Sequence, residues 1–405
     1  MLRKTTAALV LAASCAAAGV MPGSAATAAS RAASENSPWY QTDAGAAGSR
    51  ANLKENVLTP STVANVGYLR TMTAPPTSPG NQCGGTDTGA PALAGGYVYA
   101  ITNYTVSKYN AATGELIWRR TPDPTGDTYF ESLSVSGNGG IIVVGGTLCD
   151  SVSEPGDAFY AYNAATGKLL WRASPGEGMG PAVVSGGYVV TAGEDAAGNF
   201  FYVLNLSTGK TVWYRDTACL ASYPVPLVVD SLVMLNGCAK QGPAIEARNL
   251  STGKLAWKVA GRWTLQRGDF SGTHLFADDA GTMVALDPQT GQQEYTLSKA
   301  VKVLAVDDSR AYAACGSHGE YACAYNVSTG ALEWRNTRNV YRPKLAAEAG
   351  GVLYLNSFGV ALNAATGKKI KFLAIGGATA LAVGDGRIAD VSSGRIIDLF
   401  GLPGY

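Results

Sequence analysis

The chain has 405 residues, enough to bury a large core, and its 31 basic and 30 acidic residues leave a net charge of +1. Charged residues make up only 15% of it, with no basic stripe and no acidic block, which argues against nucleic acid and polyanions as partners. Fifty glycines, with β-branched and aromatic clusters between turns, favour strands over helices.

In chain order, residues 1–28 read as an export signal. Arg3 and Lys4 precede an uncharged apolar run from Ala7 to Val20, and Ala26-Thr27-Ala28 gives an A-x-A cleavage pattern. The run is shorter than the roughly 20 residues a bilayer anchor needs, and no other stretch reads as a membrane span. The alternative is a lipid anchor on Cys15, although Ala12 stands where a lipobox prefers Leu. Residues 29–62 read as an N-terminal extension, and residues 63–405 as the folded unit.

That unit is repetitive. Lys-Tyr-Asn-Ala-Ala-Thr-Gly-Glu-Leu-Ile-Trp ends at Trp118 and Ala-Tyr-Asn-Ala-Ala-Thr-Gly-Lys-Leu-Leu-Trp ends at Trp171. The final aromatic returns as Trp213, Trp257, Tyr295 and Trp334, and Lys371 takes its place once. The motif glycines, Gly114, Gly167, Gly209, Gly253, Gly291, Gly330 and Gly367, are 37 to 53 residues apart, a period that suits four short strands per unit. Asn or Asp starts each turn by hydrogen-bonding the backbone two residues on, and Gly supplies a positive φ. Strands such as Gly96 to Ala100 and Gly187 to Thr191 precede the motif, and a weak eighth copy surrounds Ser393-Gly394-Arg395. The expected fold is all-β: an eight-bladed propeller, with seven blades the alternative. Each blade is a four-stranded antiparallel sheet, and the strand from Val63 to Met72 completes the last one, because an open edge is a liability.

The consensus Ala-x-Asp/Asn-x-x-Thr-Gly-x-x-x-Trp resembles the tryptophan-docking repeat of the pyrroloquinoline quinone (PQQ)-like propeller family, from about Val63 to the C-terminus. The resemblance implies the propeller, with Trp118, Trp171, Trp213, Trp257, Tyr295 and Trp334 as docking residues. The family includes quinoprotein alcohol dehydrogenases and non-catalytic members such as the lipoprotein that assists outer-membrane protein assembly, so the fold alone does not decide function. Its catalytic members hold PQQ with calcium, and many carry a disulfide between adjacent cysteines. This sequence has no adjacent cysteine pair and no C-x-x-C-H, and the calcium ligands do not map onto it.

Beyond Cys15 there are six cysteines, Cys83, Cys149, Cys219, Cys238, Cys315 and Cys323, an even number that reads as three disulfides in an exported chain. The expected pairs are Cys315–Cys323, Cys219–Cys238 and Cys83–Cys149. No C-x-x-C pair occurs and His274 and His318 are the only histidines, so no metal site is expected.

The repeat turns share one face. Loops of varied length, Thr121 to Glu131, Gly146 to Asp157, Ala173 to Gly180 and Gly193 to Asn199, share the other, where binding residues concentrate. Near the channel on that face the candidate ligand contacts are Glu131, Met179, Tyr223, Arg267, Asp269 and Arg342, or else they are ordinary channel lining. No G-x-S-x-G elbow is present. The expectation is a secreted, monomeric, non-catalytic scaffold without a cofactor, binding a protein or cell-envelope ligand. The alternative is a propeller enzyme, a PQQ-dependent dehydrogenase or a polysaccharide lyase or hydrolase, with its site in the central channel.

Overall fold

The structure is a computed structural model that describes residues 37–73, 90–101, 105–121, 128–148, 157–175, 180–194, 199–217, 226–239, 242–261, 263–338, 342–355, 359–375, 380–393 and 396–404. Eight four-stranded antiparallel blades, seven of them built from consecutive strands, form the ring of an eight-bladed β-propeller. Blade one, for example, runs Ala92–Ala94, Tyr97–Ile101, Val106–Asn110 and Leu116–Arg120 from the axis outward. The innermost strands of blades two to eight are Thr128–Val135, Val183–Ser185, Leu227–Val229, Trp263–Gly268, Ala300–Val306, Ala346–Ala349 and Ala380–Gly384. Each lies against the next, and Ala380–Gly384 meets Ala92–Ala94 to close the circle.

Blade eight is assembled from both parts of the chain. Its inner strands are Ala380–Gly384, Arg387–Ser393 and Ile396–Gly401, and Gly67–Thr73 pairs antiparallel with the last of these as the outermost strand.

The repeat turn forms for the reason its residues suggest. In blade one, Asn110 Oδ1 accepts from the amides of Ala112 at 2.8 Å and Thr113 at 3.0 Å, and the Gly114 amide closes the turn on the Asn110 carbonyl at 2.7 Å. The outgoing aromatic then crosses to the next blade. The indole Nε1 of Trp171 donates to the Leu206 carbonyl at 2.8 Å, that of Trp213 to Leu250 at 2.8 Å, and that of Trp257 to Pro288 at 2.9 Å. Trp118 and Trp334 do the same to Ala164 and Ala364, and Tyr295 substitutes its hydroxyl, donating to Val327. Trp118, Trp171 and Trp257 are buried at their seams, where losing such a ring costs roughly 3 kcal/mol, judged from aromatic truncations.

The seams around blade eight use cations instead. Lys371 Nζ donates to the Val66 carbonyl at 2.6 Å, just ahead of the outermost strand of blade eight, which no repeat turn joins to its neighbour. Arg70, on the outermost strand of blade eight, lies against Gly114, where a Cβ would meet its side chain at 3.0 Å.

Candidate functional site: the central channel and its two ends

The repeat turns and the hairpins between first and second strands share one end of the ring, since the Ala111 amide donates to Gly96 and the Ala364 amide to Gly351. Connections between blades, and between second and third strands, leave from the other end. These are the turn face and the loop face.

At the turn face residues 37–52 circle the axis once and touch every blade. The Asp385 amide of blade eight donates to Ser37, Trp39 bridges Leu93 of blade one, and the Val135 amide of blade two donates to Tyr40. Gln41 Nε2 reaches the Val184 carbonyl of blade three at 3.2 Å. The amides of Val228, Gly268, Val306 and Glu348, in blades four to seven, donate to the carbonyls of Ala46, Ala47, Ser49 and Arg50. Ala51–Asn52 then adds a parallel strand to blade seven. The run Ala44-Gly45-Ala46-Ala47-Gly48 fits here because it carries almost no side chain: a Cβ on Gly48 would sit 2.9 Å from Leu227, and its φ is +66°. The bowl inside this loop encloses about 280 Å³ and is lined by residues including Tyr40, Ala46, Lys54 and Phe270.

Beneath the loop lies a charged group. Arg267 Nη1 donates to the Gly48 carbonyl at 2.5 Å and to Asp43 Oδ2 at 3.1 Å, its Nε reaches the Val303 carbonyl at 3.3 Å, and Arg50 pairs with the same Asp43. Burial works against ionisation of Asp43, yet Arg267 and Arg50 hold its carboxyl at about 2. Burial draws Arg267 down to about 10 against the pull of Asp43. Asp269 is fully buried and accepts from the Thr273 amide and hydroxyl and from His274 Nδ1 at 3.0 Å. Against the cost of burial, those bonds keep its carboxyl below the usual range, and its partnership raises His274.

Of the six residues that the sequence offers as ligand contacts, Arg267 and Asp269 stand where the innermost strand Trp263–Gly268 reaches the turn face, tied into the loop and a hairpin. Arg342 is exposed and lines a separate cavity at the loop face. Glu131 lies in Thr128–Val135 with its side chain outside the described residues, as are Met179 and Tyr223. Cys315–Cys323 is bonded, across the second and third strands of blade six. Cys83, Cys149 and Cys219, and the Cys238 side chain, fall outside the described residues. Sequence reasoning missed Asp43, Arg50 and Asn52; the signal was a small-residue run flanked by opposite charges.

Residues 102–260 and 241–399 match the family model of the PQQ-like repeats described as outer membrane protein assembly factor BamB. The chain belongs to this PQQ-like propeller family. No curated protein matches it by sequence. Among solved structures it is similar to BamB from Moraxella catarrhalis, 20% identical, covering 84% of this chain and 98% of that one with a TM-score of 0.60. It is also similar to quinohemoprotein alcohol dehydrogenase from Comamonas testosteroni, 14% identical, covering 94% and 85% with a TM-score of 0.64. A europium-containing methanol dehydrogenase is 13% identical over 91% and 99%, with a TM-score of 0.62. At such identities the likeness is one of PQQ-like fold.

The fold therefore implies PQQ and a metal as the group to test against these residues. Among the described residues no three His, Cys, Asp or Glu side chains gather to hold a metal ion, and of the two carboxylates beneath the loop Asp43 is committed to two arginines and Asp269 to Thr273 and His274. The described channel does not fit that group.

Proposed function

We propose that this PQQ-like propeller is an exported, non-catalytic scaffold that binds a protein partner through its loop face. The observation that carries the reading is the loop of residues 37–52, which covers the turn-face end of the channel and engages Asp43, Arg50 and Arg267 in holding it. What is left for recognition is the end where connections vary in length, a division of labour common to rigid β scaffolds. The signal-like residues 1–28 and the Cys315–Cys323 disulfide support export. The BamB family description favours a protein over a small molecule as partner. The test is calorimetric titration of the mature protein with PQQ, with and without calcium. The expected result is no saturable heat. Saturation in the micromolar range or below overturns the proposal in favour of a dehydrogenase.

A further inference from the structure

Blade six meets blade seven at the loop face around a cavity of about 510 Å³. Lys302, Arg342, Lys344 and His318 line it, with Val301, Ala314 and Pro343 supplying apolar wall. These residues come from separate stretches of sequence, so the cation cluster is invisible in the charge pattern of the chain.

The cavity is a built one. The Arg342 amide donates to the Glu320 carbonyl at 3.0 Å, tying the approach to blade seven onto the hairpin of blade six. The Cys315–Cys323 disulfide staples that same hairpin, which carries His318 and Gly319 into the wall. Glu320, the acid at the hairpin tip, accepts from the His318 amide at 3.1 Å and from Ser317 Oγ at 3.1 Å, and these bonds hold its carboxyl at about 2. Its carboxylate, with His318 Nδ1 3.2 Å away, is one negative charge beside the three cations Lys302, Arg342 and Lys344.

Charge deeper in the channel adds to the same sign. Burial and the nearby Arg267 and Arg50 lower the pKa of Lys302, with Asp43 opposing them. Lys302 thus lies within electrostatic reach of two further cations and of Asp43, and a low-dielectric wall strengthens the field they project.

We propose, building on the scaffold reading above, that this cavity at the mouth of the channel is a recognition pocket for an acidic peptide segment of the protein partner. Lys302 and Lys344 supply point charges and Arg342 a planar fork that matches a carboxylate. Val301, Ala314 and Pro343 suit the aliphatic parts of a peptide rather than a run of phosphates. The net charge of +1 provides no extended basic surface for a polyanion backbone.

The experiment is fluorescence anisotropy of the mature protein with a short fluorescein-labelled peptide of alternating Glu and Ala. The double variant Lys302→Glu/Lys344→Glu is compared with Lys254→Glu/Lys368→Glu, which makes the same charge change at exposed turn-face positions. Thermal melts confirm that both variants fold. Saturable binding is expected, weakened about tenfold or more by the first pair and left within about twofold by the second. No binding, equal losses in both variants, or complete displacement by millimolar inorganic phosphate overturns the pocket. PQQ titration decides the scaffold reading separately, so the two fail independently.

Discussion

Asn52 Nδ2 donates to the backbone carbonyl of Ser37 at 2.8 Å and to that of Val383 at 3.0 Å. The start of the axial loop is thereby clasped to its end against blade eight, and all three groups are buried. Asn52→Ala removes the donor that both carbonyls share, leaving Ser37 only its bond from the Asp385 amide, and is expected to cost about 1–3 kcal/mol. Hydrogen exchange checks the location of the effect. The amides of Val228, Gly268, Val306 and Asp385, which donate to the loop, lose protection, and the amides between second and third strands keep theirs.

Asp43 neutralises two arginines, one of them buried. Asp43→Ala leaves Arg267 as an uncompensated buried charge, and a loss of about 3–5 kcal/mol is expected in urea unfolding. The double variant Asp43→Ala/Arg267→Leu removes the stranded charge and recovers more than half of that loss. If the double variant is no more stable than the single, the coupling between the two side chains is disproved.

The motif glycines are required by the neighbouring blade as well as by their own turn. A Cβ on Gly291 would stand 2.5 Å from Cε3 of Trp257, and the residue has a φ of +72°. Gly95 has a φ of +59° but open space around it. Gly95→Ala therefore pays only for the left-handed backbone, about 1–2 kcal/mol, whereas Gly291→Ala adds a displaced Trp257 and about 1–3 kcal/mol more. Equal destabilisation of the two, measured by denaturant midpoint, would show that the tryptophan contact is dispensable.

Stability depends on pH from two directions. Burial, reinforced by Asp307, raises Glu348 to about 8, and burial with Asp398 opposite raises Asp390 to about 7. One oxygen of each, Glu348 Oε2 and Asp390 Oδ1, has no hydrogen-bond partner among the described residues. Both favour the protonated form in the fold, so their contribution is complete below their ordinary range near 4 and is lost as pH rises through 7 and 8. Asp43 has the opposite sign, its contribution being present above its ordinary value and lost as pH falls toward 2. The urea midpoint is expected to be higher at about pH 5 than at about pH 8, and Glu348→Gln to flatten that difference.

The blades were legible because each repeat carries its own local physics: an Asn that folds the turn, a Gly that permits it, and an aromatic that seals the next seam. The substitution of Tyr295 and Lys371 at the aromatic position was visible too, though not that each would still donate to the blade ahead. The axial loop was not legible, since Ala44 to Gly48 has no periodicity and its partners lie on all eight blades. The same holds for Lys302, Arg342 and Lys344, which tertiary structure alone brings to one cavity. Sequence reasoning put Arg267 and Asp269 near the axis but at the wrong end: they stand at the turn face, not the loop face, because Arg267 serves a segment more than 200 residues earlier.

Blade eight and the axial loop impose an order in time. The strand Gly67–Thr73 and the clasp at Ser37 are made before their partners, Ile396–Gly401 and Asp385, which follow 348 residues later for the Ser37–Asp385 contact. Contacts this distant are costly to form first, so the seven self-contained blades assemble ahead of them. Until Gly67–Thr73 arrives, Ile396–Gly401 is a bare edge able to accept the same strand from a second molecule. Crowded refolding should therefore yield exchanged dimers, and the circle is finished by a strand made ahead of all the blades it waits for.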